Sequence, residues 1–175
     1  MTDLPRRPAP TAAPVLDPLT GIASDELFWH LLSKAVQRAE RQAHNLALLA
    51  IYVQGLTALN EAHGHEAGDA ALRLVASRLG RRLRKSDSIA RLGGTKFAVL
   101  LESMTEDADV QLVAQSLIET LAEPIETAAG DIKLAVAIGI ALFPRTADTA
   151  EALLAAAVTA MDEAVAQGRN TYRLA

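Results

Sequence analysis

The sequence contains no cysteine, which excludes disulfides, thiolate nucleophiles and cysteine metal sites, and fits a reducing compartment. Aromatic residues make up only 3% of the chain, so a core must be assembled mainly from Ala, Leu, Val and Ile, with Phe28, Trp29, Phe97 and Phe143 as its few large pieces. Charge of one sign is also scarce. The net charge of -4 gives no global attraction to nucleic acid or to an anionic membrane, although arginines crowd into "RLGRRLRK", Arg78 to Lys85. No apolar run reaches the roughly 18 residues of a membrane span, and the N-terminus lacks a signal-peptide core. A cytoplasmic protein that neither spans a membrane nor binds nucleic acid is the expectation.

What is present is a chain of 175 residues, half of them hydrophobic, enough for one domain with a sizeable core. Residues 1–16 hold four of the seven prolines and no apolar period, and read as a tail or linker ahead of a domain at 17–175. In "SDELFWHLLSKAVQRAERQ", Ser24 is placed to cap a helix whose first turn carries Asp25 and Glu26, and apolar residues follow at helical spacing. "LALLAIYV", Leu46 to Val53, is apolar throughout and predicts a central strand covered on both faces. A short helix broken at Gly64 and a longer one ending near Arg84 come next. "SIARL" and "KFAVLLE" are expected to pair through Gly93 and Gly94, because tight hairpins demand positive φ. A helix from about Asp107 to Ala122, one long strand "IKLAVAIGIALF", a helix stopped by Gly168 and an edge strand "TYRL" complete the pattern. The order predicts an α/β fold around a mixed five-stranded sheet with parallel crossovers and one antiparallel hairpin.

Five motifs in order carry a resemblance: "DPLTG" at Asp17 to Gly21, "NEAHGHEAGD" at Asn60 to Asp69, "RKSDSIARLGG" at Arg84 to Gly94, "AIGIALFP" at Ala137 to Pro144, and "GRN" at Gly168 to Asn170. Together they resemble a GGDEF domain, the nucleotidyl-cyclase-like fold of diguanylate cyclases, which join two GTP molecules into cyclic di-GMP. The resemblance implies that active relatives hold two divalent metals on carboxylates, one at the end of the first strand and one in the signature turn. Here the matching positions are Tyr52 and Gln54 on the strand and Thr95 and Lys96 in the turn, and none is acidic. A family lysine that helps hold phosphates is replaced by Val165, while Arg169 is kept. Mg²⁺ requires hard oxygen ligands, usually carboxylates, and charge stabilisation dominates phosphoryl transfer. The expectation is therefore a degenerate domain, GGTKF in place of GGDEF, with no cyclase activity, no catalytic residue, no cofactor and no bound Mg²⁺; Asp69 or Glu61 are the acids that a rescued metal site would recruit.

Two constellations remain. Arg84 to Asp87, "RKSD", resembles the family's inhibitory RxxD site for cyclic di-GMP, in which a guanidinium engages the ligand and a carboxylate accepts from guanine. Arg81 and Arg82 add positive potential, and Arg38, with Arg41 as its neighbour, matches a further arginine that relatives supply, often from a second subunit. The alternative is a solvated arginine face complementing a helix C-terminus. Asn60 and Asp69, with Arg169, match the guanine and phosphate contacts of the substrate cleft; alternatively Asn60 supports the break at Gly64, Asp69 starts a helix and His65 is structural. Lys96 either meets phosphate directly, so that GTP or GDP is held without metal, or neutralises Asp69 or Glu61 across an empty cleft. Three roles follow: a cyclic di-GMP receptor that signals to a protein partner or through a homodimer, a protein-interaction domain that uses no ligand, and a residual cyclase. The missing carboxylates weigh against the last.

Overall fold

In a computed structural model that describes residues 15–104, 106–128 and 130–175, the run from Leu46 becomes the middle strand of a five-stranded sheet. The elements are α1 (Asp25–Gln42), β1 (Leu46–Gln54), α2 (Leu56–His63), α3 (His65–Arg82), β2 (Ser88–Gly93), β3 (Lys96–Glu102), α4 (Asp107–Leu121), β4 (Ile125–Thr127), β5 (Gly130–Ile132), β6 (Ala135–Phe143), α5 (Ala150–Gln167) and β7 (Thr171–Leu174). The sheet order is β2-β3-β1-β6-β7, and a separate hairpin joins β4 to β5. β1 runs antiparallel to both β3 and β6. Among the described strands only β7 lies parallel to its neighbour, β6, across the α5 crossover. The parallel crossovers expected from the element order thus reduce, among the described residues, to this one.

The strand period of two explains why β1 is apolar throughout. Ala47, Leu49, Ile51 and Val53 enter a core shared with α2, α3 and α4, whereas Leu46, Leu48 and Ala50 enter a second core shared with α1 and α5. Phe97 anchors the first core; Phe28, Trp29 and Phe143 anchor the second. The helices on the two faces begin and end where local chemistry dictates. Ser24 accepts a hydrogen bond from the Leu27 amide at 3.2 Å to start α1, and Gly64, at φ 85°, separates α2 from α3. No described helix is long and apolar enough to cross a membrane.

Two boundaries differ from the sequence reading. The strand expected from Ile132 begins at Ala135, because Ile132 pairs with Ile125 in the small hairpin while Leu134 drops out of the sheet and into the first core. At the other end, residues 1–14 of the expected tail lie outside the described residues. Val15 and Leu16 join the fold: the Val15 carbonyl accepts from the Ser24 amide at 3.1 Å and Leu16 bridges to Ala23.

α5 lies unusually close to β6. A Cβ placed on Gly139 would sit 2.0 Å from the Ala157 carbonyl oxygen and 2.1 Å from the Met161 amide nitrogen, so the helix backbone rests directly on the strand. The "GRN" turn follows α5, and there the Asn170 side chain accepts from the Val136 amide at 3.1 Å.

Candidate functional site

The signature turn is held from behind. Arg91, on β2, donates from Nε and an Nη to the Gly94 carbonyl at 3.1 and 2.9 Å, and its other Nη reaches the Asp17 carboxylate at 3.3 Å. Asp17 also accepts from the Thr20 amide and hydroxyl at 2.9 and 2.6 Å. Burial raises the Asp17 pKa, but the Thr20 hydrogen bonds and the Arg91 charge outweigh it and hold the carboxyl below its ordinary value. The "DPLTG" and "RLGG" motifs are therefore one hydrogen-bonded unit. Gly93 and Gly94 take φ of 116° and 54° where an added Cβ would meet nothing, so glycine is required there for backbone conformation and not for space.

The turn presents Thr95 and Lys96 beside the end of β1. The Thr95 carbonyl accepts from the Val53 amide at 2.9 Å, and Lys96 pairs in register with Tyr52. Tyr52 is half-buried against the second core, and Gln54 closes the strand with its Oε1 buried and unpartnered among the described residues. The donors at the positions that the resemblance assigns to metal are a phenol, an amide, a hydroxyl and an ammonium. This set does not fit a pair of hard divalent cations, which need carboxylates to offset their charge. Among the described residues, no three His, Asp or Glu side chains gather where they could hold a metal. Asn60 packs against the residue that precedes Asp69. The Asn60 side chain lies against Gly68, where a Cβ would stand 1.9 Å from Oδ1, and Asp69 is exposed beside it. Arg169 is exposed at the far end of α5 and Val165 is half-buried.

A second site lies at the opposite end of β2. The end of α3, the start of β2, the end of β3 and the first turns of α4 enclose a cleft of about 360 Å³. Arg84 and Asp87 both line it, closed into a turn in which the Arg84 amide donates to Asp87 Oδ2 at 2.9 Å and the Asp87 amide to the Arg84 carbonyl at 3.0 Å. The Arg84 guanidinium and Asp87 Oδ1 have no partner among the described residues. Facing them is an apolar wall of Met104, Val113 and Leu112, the last 69% exposed.

The expected arginines stand at different places around this cleft. Arg81 and Arg82 are both exposed, and of the two only Arg82, drawn toward α4 by its bond to Thr120 at 2.8 Å, lines the cleft. Arg38 does not line it either. Its guanidinium is 2.6 Å from Glu102, the residue before Ser103, which does line the cleft; Arg38 thus sits round the edge of the sheet, beside the site and not in it. Arg41 is exposed in the last turn of α1.

Residues 15–171 match the profile of a family described as diguanylate cyclase, GGDEF domain. The chain belongs to the GGDEF family. It is 39% identical over 160 residues to the diguanylate cyclase TpbB of Pseudomonas aeruginosa, and 36% identical over 156 residues to that organism's bifunctional diguanylate cyclase/cyclic di-GMP phosphodiesterase MucR. These matches take in 91% and 89% of this chain but only 37% of TpbB and 23% of MucR. The solved GGDEF domain of TpbB superposes with a TM-score of 0.86, covering 89% of this chain and 98% of that one. The GGDEF domain of DgcB from Caulobacter crescentus, solved in complex with c-di-GMP, superposes at 0.85 over 93% of this chain and 96% of its own; at 22% identity it shows the shared fold.

Proposed function

We propose that this GGDEF domain is a non-catalytic receptor of cyclic di-GMP, which it binds in the Arg84–Asp87 cleft. One observation carries the reading: an unpartnered guanidinium and a half-used carboxylate face an apolar wall across a cleft, in a fold whose metal positions hold Tyr52, Gln54, Thr95 and Lys96. Each group has a matching partner on the ligand. Arg84 presents forked donors to a phosphodiester oxygen or to the O6 and N7 acceptors of guanine. Asp87 Oδ1 accepts from the N1–H and N2–H edge of the same base, and the Leu112 and Met104 side chains supply a surface against which the purine loses water.

Catalysis is a different matter. Phosphoryl transfer depends on metal and charge stabilisation, and loss of one such stabilising group costs on the order of 100- to 1000-fold in rate. This chain lacks a carboxylate at both metal positions, so the domain binds the signal and does not make it. Binding then alters self-association or the contact with a protein partner, with no cofactor.

Titration of the purified chain with cyclic di-GMP in a calorimeter tests the receptor reading, with Arg84→Ala expected to abolish the heat. Absence of binding by the wild type, or undiminished binding by the variant, overturns it. Incubation with GTP and Mg²⁺ or Mn²⁺ at high protein concentration tests the second half; steady, metal-dependent formation of cyclic di-GMP would sink it. Titrations with GTP and GDP, with and without EDTA, report whether Asn60 and Asp69 still hold a guanine and whether Lys96 meets phosphate without metal.

A further inference from the structure

Arg78 and Arg82 stand one turn apart on the stripe of α3 that faces α4, and both reach across to it. Arg78, only 7% exposed, donates from its two Nη atoms to the Glu123 and Pro124 carbonyls at 2.6 and 2.8 Å, which clamps the far end of α4. Arg82 donates from Nε to the hydroxyl of Thr120 at 2.8 Å, and Thr120 is 4% exposed. The two bonds do different things. Arg78 spends its fork on backbone carbonyls and is structural. Arg82 spends one donor, and no hydrogen bond or ion pair among the described residues engages its two terminal nitrogens. Those nitrogens belong to a side chain that lines the cleft.

We infer that Arg82 is a second anion-binding residue of this cleft, and that Thr120 is its positioning residue. The inference rests on the cyclic di-GMP reading above. A guanidinium is planar, so anchoring Nε on a buried hydroxyl fixes the orientation of the whole fork and leaves four N–H groups for an incoming phosphodiester. Ordering a free arginine on binding costs rotamer entropy, and a fork already held in the unliganded protein loses less of it. Arg84, two residues on, has no such anchor; the two arginines divide into one pre-set and one that orders with the ligand.

Charge leads to the same residue. The ionisable side chains lining the cleft are Arg82, Arg84, Asp87 and Asp109, two of each sign. Cyclic di-GMP carries two phosphodiester charges. Without Arg82 a single guanidinium, Arg84, with the Asp87 carboxylate beside it, would face two phosphodiester charges, and that pair alone would not draw them in. Arg81, although adjacent in sequence, points its charge outside the cleft and does not fill this need.

The test is calorimetric titration of the 175-residue chain and its variants with cyclic di-GMP, alongside thermal unfolding of each. Arg82→Ala is expected to weaken binding by about tenfold or more, the usual effect of losing a charge-assisted hydrogen bond. Thr120→Val, which keeps the shape and deletes the hydroxyl, is expected to weaken it by about threefold to tenfold, and Thr120→Ser to restore it. Should Arg82→Ala fail to fold, Arg82→Gln replaces it. Wild-type binding with an unaffected Arg82 variant overturns this inference and leaves the receptor reading intact. A weakened Arg82 variant beside an unaffected Thr120→Val removes the positioning role, as does a Thr120→Val that lowers the melting temperature but not the affinity. Absence of binding by the wild type overturns the receptor reading, and this inference with it.

Discussion

Gly139→Ala is expected to destabilise the domain although it adds one methyl group to a strand, where alanine is ordinarily the better residue. The new Cβ would lie 2.0 Å from the Ala157 carbonyl oxygen and 2.1 Å from the Met161 amide nitrogen, against 3.4 Å or more for an ordinary contact. Both obstacles are helix backbone, so neither can swing aside as a side-chain tip could. α5 must retreat by more than an ångström, and it carries Leu153, Leu154, Ala157, Val158 and Met161 into the second core. Overpacking of this kind costs about 1 to 3 kcal/mol, with rigid obstacles at the upper end. Relief of the backbone entropy of a strand glycine returns about 0.5 to 1 kcal/mol. The net loss of about 2 kcal/mol corresponds to a fall of about 4 to 8 °C in melting temperature for a chain of this size. Circular dichroism melts of wild type and variant measure it. An unchanged or higher melting temperature would refute the claim that α5 sits on β6 through its backbone.

Three further outcomes follow from side-chain chemistry. Gly68→Ala brings a methyl within 1.9 Å of Asn60 Oδ1, a side-chain tip that can turn aside, and a helical alanine is favoured over glycine by about 1 kcal/mol, so it is expected to shift stability by less than about 1 kcal/mol in denaturant titration, while adding it to Asn60→Ala, where the obstacle is gone, is expected to stabilise by about 1 kcal/mol. Burial, then the neighbouring Glu26 charge, push the Asp25 carboxyl up to about 6, so the native state binds its proton more tightly than the unfolded chain does. Its ionisation therefore lowers stability as pH rises from about 4 to 6; Asp25→Asn is expected to raise the melting temperature at pH 8 and to lose that advantage at pH 4, and an equal effect at both would contradict the assignment. Asp17 is shifted the other way, so its contribution is present above the unfolded carboxyl range and is lost as pH falls through the lowered native value. Asp17→Asn is expected to flatten the acid limb of a stability-against-pH curve; an unchanged limb would count against the Arg91 and Thr20 contacts.

The sequence carried the parts of this fold that depend on local period and on caps. Ser24, the Gly64 break and the apolar β1 each leave a mark within a few residues, and each element formed where that mark stands. The β4–β5 hairpin left none, because Ile132 to Phe143 is apolar enough to read as one strand, and what interrupts it is the burial of Leu134 in a core built from distant helices. The candidate site divides the same way. Arg84 and Asp87 reach the same cleft because a four-residue turn joins them, which spacing alone suggests. That Arg82 lines the cleft and Arg81 does not depends on Thr120, 38 residues away, which the local spacing gave no sign of. Arg38 likewise meets Glu102 across 64 residues, a contact set by how α1 lies on the sheet.

The Arg91 fork gives the domain a mechanical property. Residues 15 to 24 form a closed loop, with the Asp17 amide on the Ile22 carbonyl at 2.7 Å and the Ser24 amide on the Val15 carbonyl at 3.1 Å; the Arg91 amide joins it to β2 on the Ala23 carbonyl at 2.9 Å, and the Arg91 side chain joins it to the hairpin turn. Ala23 lies in the second core and Leu19 and Ile22 pack against the first, so the loop, the turn and both cores form one connected body. Displacing the loop therefore strains the turn's hydrogen bonds, the edge of the sheet at Ala90 and the packing beneath it together.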